Sequence, residues 1–506
     1  MDNVLVFSVL EDIVSLEVAC TNAEVGNNVL IIQCDKNAGI CMSNKLGSYA
    51  LCKICNGMML KKAKKLNPKF CLRSISEYIT PDIISKTENI CFEYNNTDEL
   101  KSITYHGVEI GYGAYSSFVT CTRHCNPAYN DNVKKYINAL LRMQVRLVLG
   151  FENIISEFNP DRIVFHNGRF ANFKPLLDLA RIKKISFLAT EMIVCDGKIY
   201  MDNFINDVPH SVNALTNKIK LSWEQSNPKT REKLGRSFYE KRRNAVWAGD
   251  KIYIKNQIKG LLPSDYNPNK ENIVIFNSSE DEYMAISSDY DNNRLFRNQY
   301  IGLKKIFEHY VNDETKHFYL RIHPNLKDVD DISHLALYNL KYNNLTIIPA
   351  DSPINTYDLM DIADKVLVFN STMGAESAYW GKPVISMDLC SYSNMQVTYA
   401  PKNVEELWKY IDTPNLPNIS NINDLLKIGL HILSPASETI NHVKNEMTTK
   451  KILKRFEISK KSAFTCLGST VLADIIIKGI AYIPFIKKQF NSLPSDRDLW
   501  MSDIKD

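Results

Sequence analysis

A short polar motif in the second half of the chain combines residue types that bind phosphate and ribose. It follows the apolar run 366–369 and comprises Asn370, Ser371, Thr372, Met373, Gly374, Ala375 and Glu376. Ser371 and Thr372 can cap the helix predicted to begin there, and Gly374 lets a ligand approach the backbone. The start of a helix favours phosphate, and the Glu376 carboxylate can accept two ribose hydroxyls. A capping box is the alternative, but it needs its glutamate three residues after the cap, and Glu376 lies four after Thr372.

A second motif places a histidine at the end of a strand-like run, 318–322. Arg321 and His323 stand on either side of its last residue, and Pro324 restricts the backbone that follows. His323 can donate to a phosphate oxygen, and Arg321 adds positive charge beside it. A structural role at the strand end is the alternative for this histidine. The neighbouring phosphate motif favours the binding interpretation.

A third loop, after the apolar run 273–276, concentrates hydroxyls and carboxylates. Its polar residues are Ser278, Ser279, Glu280, Asp281 and Glu282. Ser278, Ser279 and Glu282 can bind phosphate or sugar hydroxyls. The loop can equally be a helix start whose acids favour the helix dipole, and the sequence leaves both interpretations open.

The first half of the chain holds the candidates for acid–base chemistry. Asn167 and Arg169 follow the apolar run 161–165, and Glu191 follows the next run. A general base must be a carboxylate or histidine at a strand end that faces the second half. Glu191 and Glu109 are the carboxylate candidates and His106 is the histidine candidate. Polar residues that merely solvate strand ends are an equally good explanation.

Alternating strand and helix patterns must position these motifs. Apolar runs predict buried strands, and the segments between them have helical spacing, which indicates parallel, doubly wound α/β sheets. The turn-rich stretch 261–270 divides the pattern. We predict a Rossmann-like domain at 1–262, a second one at 271–430, and a basic helical segment at 431–506. That segment packs on the first domain or touches anionic lipid head groups.

The motifs together resemble bacterial glycosyltransferases of the GT-B fold, in the group that builds capsule and lipopolysaccharide. The resemblance lies in Arg321-Ile-His-Pro-Asn325, in Ser371 to Glu376 and in Gly381-Lys-Pro-Val-Ile385. The His-Pro and Ser/Thr pair is also similar to that of Kdo- and sialyltransferases, where it holds the nucleotide phosphate. The resemblance implies an α/β fold with two Rossmann-like domains facing across a cleft, with the domain at 1–262 on the acceptor side and the domain at 271–430 binding the nucleotide-sugar.

The resemblance also implies an activity. The expected enzyme transfers a sugar from a nucleotide-sugar to a lipid-linked or oligosaccharide acceptor of a bacterial surface polysaccharide, either capsule or O-antigen. His323, Arg321 and Glu191 are its expected catalytic residues, with Asn167, Arg169 and Glu109 on the acceptor side. It implies metal-independent transfer without a cofactor. A teichoic-acid-type polyol-phosphate transferase and a non-catalytic scaffold in glycan assembly are the alternatives.

Composition excludes several other classes. The 506 residues carry 61 Lys+Arg against 57 Asp+Glu, which argues against binding nucleic acid through bulk charge. No apolar run reaches the length of a membrane span, and the N-terminus lacks the basic region of a secretory signal. We therefore expect a cytoplasmic protein, at most peripheral on the plasma membrane. Its 12 cysteines are expected to be thiols. Zinc is the alternative for the cluster of Cys34, Cys41, Cys52 and Cys55.

Overall fold

A computed structural model shows two α/β domains. The structure describes residues 1–443 except for short internal segments, namely 10–12, 43, 45–51, 53–54, 57–62, 64–65, 68–69, 196–197, 250–251, 328 and 330. Most of the predicted basic C-terminal segment, residues 444–506, lies outside the described residues.

The first domain is built on a seven-stranded sheet. Its strands are β1 (Asn3–Ser8), β2 (Asn28–Gln33), β3 (Cys71–Ser74), β4 (Arg162–His166), β5 (Ser186–Cys195), β6 (Lys198–Ile205) and β12 (Glu438–Thr439). The spatial order is β12-β6-β5-β4-β1-β2-β3, with strands β1 to β5 parallel. The apolar runs of β1 and β4 are buried on both faces, as expected of central parallel strands.

Helices cover both faces of this sheet. They are α1 (Ile13–Glu24), α2 (Pro81–Glu88), α3 (Thr97–Lys101), α4 (Ile110–Thr122), α5 (Asp131–Phe158) and α6 (Lys174–Ile182). The long α5 buries one apolar face against the sheet, and the Asn130 side chain caps its first turn by accepting the Val133 N–H at 2.9 Å.

The second domain contains a five-stranded parallel sheet. Its strands are β7 (Glu271–Phe276), β8 (Lys316–Arg321), β9 (Leu345–Ile348), β10 (Lys365–Val368) and β11 (Val384–Ser386). Their order is β11-β10-β7-β8-β9. Each sheet therefore places its first parallel strand centrally, the second and third on one side, and the fourth and fifth on the other. This repeated Rossmann order confirms the predicted α/β fold of two Rossmann-like domains.

The remaining helices follow β6 in the chain. They are α7 (Val212–Gln225), α8 (Arg231–Arg243), α9 (Ser288–Asn292), α10 (Gln299–His309), α11 (Ile332–Tyr338), α12 (Thr356–Asp361), α13 (Met373–Tyr379), α14 (Val404–Asp412) and α15 (Ile422–Leu433).

Helices α7 and α8 pack with the second domain although they precede its first strand. The backbones of α8 and α15 approach closely at Gly235 and Gly429. A Cβ on Gly235 would lie only 2.4 Å from the Leu426 carbonyl oxygen, so this contact requires glycine. Tyr239 of α8 also stacks on Tyr379 of α13, with ring centroids 3.9 Å apart. The predicted division at 262–271 separates β1–β6 from the second sheet, whereas α7 and α8, which precede the division in the chain, pack with the second domain.

The chain returns to the first domain after α15. Strand β12 pairs antiparallel with β6, and the Glu17 carboxylate of α1 then accepts the backbone N–H groups of Asn441, His442 and Val443. Glu17 is 2% exposed, and its carboxylate also bonds the His442 ring at 2.7 Å. One buried carboxylate thus holds the returning segment.

We expect Glu17→Ala to lower the free energy of unfolding by about 1.5–3 kcal/mol, because hydrogen bonds to a buried charge are lost. Urea unfolding measures this change. Glu24→Ala is the matched control, since it removes an exposed carboxylate that also bonds His442, at 2.9 Å. Equal losses of unfolding free energy in the two variants would contradict the conclusion that Glu17 holds the returning segment.

Within the described ranges, no helix has both the length and the apolar character needed to cross a membrane.

Candidate functional site

A pocket in the second domain lies where the strand order reverses. Strands β7 and β10 are neighbours whose connections leave in opposite directions, and ligands of open α/β sheets bind at such a point. The pocket is lined by Phe276, the last residue of β7, by Asn277 after it, by His323 after β8, and by Ser371 and Thr372 after β10. The predicted motifs after β8 and β10 therefore meet at one site.

His323 lines this pocket with a defined ring orientation. The Asn277 side chain accepts the His323 backbone N–H at 2.7 Å, and the His323 Nδ1 accepts the Asn325 N–H at 3.1 Å. Because Nδ1 is an acceptor, a neutral ring carries its proton on Nε2. Tyr253 packs edge to face with the ring, at 5.2 Å between centroids. His323 is thus built to present an N–H donor.

The loop after β10 supplies hydroxyls at the pocket wall. Asn370 adopts a left-handed conformation with φ of 35°, and Ser371 and Thr372 follow it into α13. The Ser371 hydroxyl accepts the Met373 N–H at 3.3 Å, whereas Thr372 is exposed and its side chain forms no cap. Gly374 is buried, and a Cβ there would lie 2.2 Å from the Tyr392 hydroxyl. This glycine therefore makes room for a protein side chain, where the sequence predicted room for a ligand.

Glu376 lies fully buried behind the pocket wall. Its Oε2 accepts the Tyr357 hydroxyl, and its Oε1 lies 3.5 Å from the Arg242 guanidinium. Arg242 and Tyr357 both line the pocket. A direct contact with ribose, as the sequence predicted, requires the carboxylate to exchange the tyrosine hydroxyl for a ribose hydroxyl. In this structure Glu376 orients Arg242 and Tyr357, and these two side chains are the ones placed to contact a nucleotide in the pocket.

We expect Glu376→Ala to weaken nucleotide-sugar binding by roughly tenfold to over a hundredfold, because Arg242 and Tyr357 lose the carboxylate that orients them, and each charge-assisted hydrogen bond is worth about 1.5–3 kcal/mol. Isothermal titration calorimetry measures this change. Ser377→Ala is the matched control, because Ser377 is the equally buried neighbour and does not line the pocket. Unchanged affinity in folded Glu376→Ala would place the nucleotide elsewhere.

Arg321 holds the neighbouring loop. It is 2% exposed and donates to the carbonyl oxygens of Pro349 at 3.0 Å and Ser352 at 3.3 Å. Burial lowers the pKa of its guanidinium to about 10, despite the opposing effect of nearby Asp351. Arg321 still lines the pocket, so it adds positive charge there while most of its hydrogen bonds go to the backbone.

The Ser278–Glu282 loop connects the two domains. Ser278 is buried, and its hydroxyl bonds that of Tyr283 at 3.0 Å. Ser279 is buried as well and accepts Arg123 of the first domain at 2.9 Å. Glu282 is exposed, and its Oε1 accepts from Asn325 at 3.4 Å. None of these three predicted donor-binding residues lines the His323 pocket.

Glu280 of this loop is buried beside Arg294, and burial raises the pKa of its carboxyl from 4.5 to about 7. The folded state therefore holds a proton that the unfolded state releases, so stability falls as pH rises from about 4.5 to 7. We expect Glu280→Gln to flatten the decline of the urea midpoint across this range. Glu282→Gln, at an exposed site of the same loop, should keep the wild-type slope. An unchanged slope in Glu280→Gln would contradict this assignment.

The first-domain candidates gather at the carboxyl end of β4. Asn167 adopts a φ of 57°, and its Nδ2 donates to Glu191 Oε2 at 2.6 Å. His166 Nε2 lies 3.7 Å from the other Glu191 oxygen. Arg169 reaches across the cleft and donates to the Glu282 carbonyl at 3.0 Å. Asn167, Arg169 and Glu191 therefore form one group that faces the second domain.

Glu109 and His106 lie apart from this group. Glu109 bonds Lys174 at 2.7 Å and Ser288, and although burial acts to raise the pKa of Glu109, the Lys174 charge holds it below its usual value. His106 is exposed and bonds Glu152 at 3.1 Å. The sequence missed Arg242, Tyr253 and Tyr357 of the pocket. Arg242 and Tyr253 precede the predicted second domain, and Tyr357 stands in none of the predicted motifs, so none of the three gave a signal of a site.

The four clustered cysteines lie near one another, since Cys41, Cys55 and Cys52 all act with burial to raise the pKa of the Cys34 thiol. None of the four forms a disulfide, and among the described residues no group of three His, Cys, Asp or Glu side chains has the arrangement of a metal site. Cys52 accepts a hydrogen bond from Asn44 at 3.2 Å.

Comparisons with known proteins find similarity among solved structures. No protein-family model and no curated protein matches the chain. It is similar to KpsC of Thermosulfurimonas dismutans, a beta Kdo 2,4 transferase, with TM-score 0.34, 14% identity, and 54% of this chain and 84% of that chain covered. The UDP-GlcNAc 2-epimerase of Neisseria meningitidis has TM-score 0.28, 12% identity, and coverage of 85% and 98%. Glycosyltransferase SsfS6 of Streptomyces sp. SF2575 has TM-score 0.22, 9% identity, and coverage of 86% and 97%.

Proposed function

We propose that the protein is a glycosyltransferase that moves a sugar from a nucleotide-sugar to a growing bacterial surface polysaccharide. The observation that supports this most is the pocket at the strand-reversal point of the second domain, where His323, Ser371 and Thr372 meet. An N–H donor, hydroxyls and the Arg242 and Arg321 cations suit a nucleotide phosphate. The pocket's apolar and aromatic lining residues, such as Tyr253, suit a nucleoside.

The chemistry then divides between the domains. The donor binds in the second domain, and its phosphate gains charge as the glycosidic bond breaks. His323 donates to that phosphate, where the interaction strengthens in the transition state. Glu191, oriented by Asn167, acts as the general base for the acceptor hydroxyl from the first domain. We expect the transfer to need no metal ion, and turnover that persists in excess EDTA tests this.

Incubation with UDP-, GDP-, CMP- and CDP-linked donors tests the function. We expect slow hydrolysis of one nucleotide-sugar, with release of a nucleoside mono- or diphosphate that stops in His323→Ala. Transfer of a phospho-polyol from a CDP-linked donor would indicate the teichoic-acid-type reaction instead. A folded protein that binds none of the donors and turns none over would indicate a scaffold.

The acceptor is proposed to be lipid-linked or an oligosaccharide. The basic segment beyond residue 443 supplies Lys and Arg residues interleaved with isoleucines, a composition that suits contact with an anionic membrane surface. Co-sedimentation with vesicles that contain phosphatidylglycerol tests this contact, and absence of binding would contradict it.

A further inference from the structure

A second cavity, of about 510 Å³, opens between the two domains. First-domain residues Arg169 and His210 line it together with second-domain residues Ile286 and Tyr290. Tyr290 also lies within hydrogen-bond reach of Asn370, at 3.5 Å, which connects this cavity to the loop of the nucleotide pocket. A volume of this size accommodates one or two sugar units.

The Arg169 guanidinium is half-buried, and one of its donors is buried without a partner. A guanidinium has five N–H donors. The Arg169 side chain makes one bond among the described residues, from Nη1 to the Glu282 carbonyl at 3.0 Å, and its Nε is buried without a partner. No described carboxylate forms an ion pair with it. Burial of an unbonded charged donor is costly, so the arrangement favours an anionic ligand that supplies acceptors.

His210 adds a second unpaired group to the same wall. Its Nε2 is buried and without a hydrogen-bond partner in the described chain. Burial and the nearby Arg169 charge lower the pKa of His210 to about 3, so the ring is neutral at physiological pH. A neutral imidazole offers one N–H donor and one acceptor, which suits a group that combines an anion with hydroxyls.

We propose that this cavity binds the carboxylate of an acidic sugar, with Arg169 as the pairing cation and His210 beside it. This inference rests on the proposed function, for which it names the substrate class. A planar carboxylate matches the guanidinium fork. Glu191, Glu282 and Asp281 lie near enough to stabilise the Arg169 charge electrostatically. These carboxylates reduce the positive potential, so the site favours a singly charged carboxylate over a phosphate dianion.

Binding of simple sugars tests the proposal without turnover. The probes are the methyl glycosides of glucuronic acid, galacturonic acid and N-acetylneuraminic acid, each compared with its methyl ester, and inorganic phosphate. Saturation-transfer NMR on the full chain measures the affinities. We expect at least one acid to bind at least tenfold more tightly than its ester. Arg169→Gln should abolish this preference, and Arg169→Lys should retain part of it.

Arg236→Gln is the matched control, because Arg236 is an exposed arginine that does not line this cavity. It should keep the preference for the acid. The proposal is overturned if no acid binds better than its ester, if Arg169→Gln keeps the preference, or if phosphate alone binds in an Arg169-dependent way.

Failure of this inference can be told from failure of the proposed function. Turnover of a nucleotide-sugar without any preference for acids overturns the carboxylate site alone. Arg169-dependent binding of an acid in a protein that turns over no nucleotide-sugar overturns the proposed function alone.

Discussion

Replacement of His323 by alanine should lower kcat by roughly two to three powers of ten, by analogy with the loss of one donor to a developing oxyanion. The Nε2 proton is directed by the bond that Nδ1 accepts from Asn325, so alanine removes a preoriented donor. Phosphate charge grows as the glycosidic bond breaks, and KM should therefore change less than kcat. Steady-state kinetics with the donor identified from the panel measures both constants.

Two further variants sharpen this prediction. His323→Gln retains a side-chain N–H donor and should recover part of the lost kcat. His317→Gln changes the histidine near the amino end of β8, the strand that precedes His323. Its ring bonds Thr346 at 2.8 Å, and this variant should leave kcat unchanged. If His323→Ala raises KM alone, the histidine contributes uniform binding. If neither constant changes, His323 is a structural residue.

Arg294→Met should lower the free energy of unfolding of the second domain by about 3–5 kcal/mol, because it leaves two buried carboxylates without their cation. The Arg294 guanidinium bonds both oxygens of Asp388, with Nη2 2.7 Å from Oδ2 and Nε 3.1 Å from Oδ1. It also lies 3.2 Å from Glu280. Arg294 and Asp388 are each 2% exposed at the side chain, so water cannot replace the lost partner. Urea unfolding followed by tryptophan fluorescence measures the loss.

A nearby exposed arginine provides the comparison. Arg297 pairs with Asp98 across the domains, with side chains 75% and 60% exposed, and Arg297→Met should cost about 0–1 kcal/mol. The double variant Arg294→Met, Asp388→Asn should lose less than the sum of its single variants, because the charge left behind is also removed. Strict additivity, or equal losses at Arg294 and Arg297, would contradict a buried charge cluster.

Local pattern was sufficient to predict much of the fold. Predominantly apolar runs identified β1, β4, β7, β8 and β10, because central parallel strands are buried on both faces and admit few polar residues. The charged residues of the stretch 227–256 favour a helix throughout, whereas α8 spans only Arg231–Arg243. Packing against α15, through Gly235 and Gly429, sets the position of that helix, and a sequence pattern does not reveal such a partner.

Part of the site was also predictable, because the positions of its residues depend on the strands they follow. His323, Ser371 and Thr372 follow predicted strands, so their shared edge of the sheet followed from topology. Arg242 reaches the pocket from a helix that precedes the domain's first strand, and its pairing with Glu376 spans 134 residues of sequence. Ser279 meets Arg123 over a similar separation. Pairings of this kind depend on how whole domains pack, and local spacing carries no trace of them.

The two passages between the domains run side by side, which has a mechanical consequence. The chain leaves the first sheet after Ile205 and returns to it at Glu438. The returning passage is bonded to β6, where Ser437 donates to Asp202 at 2.9 Å, and to the outgoing passage, where the Ala436 N–H donates to Ser222 of α7, also at 2.9 Å. Because both connections between the domains lie side by side, relative rotation of the domains is expected to occur about a single hinge at this junction. A rotation that opens the cleft must therefore break the bonds that cross it, among them those of Arg123 to Asp281 and of Arg169 to the Glu282 carbonyl.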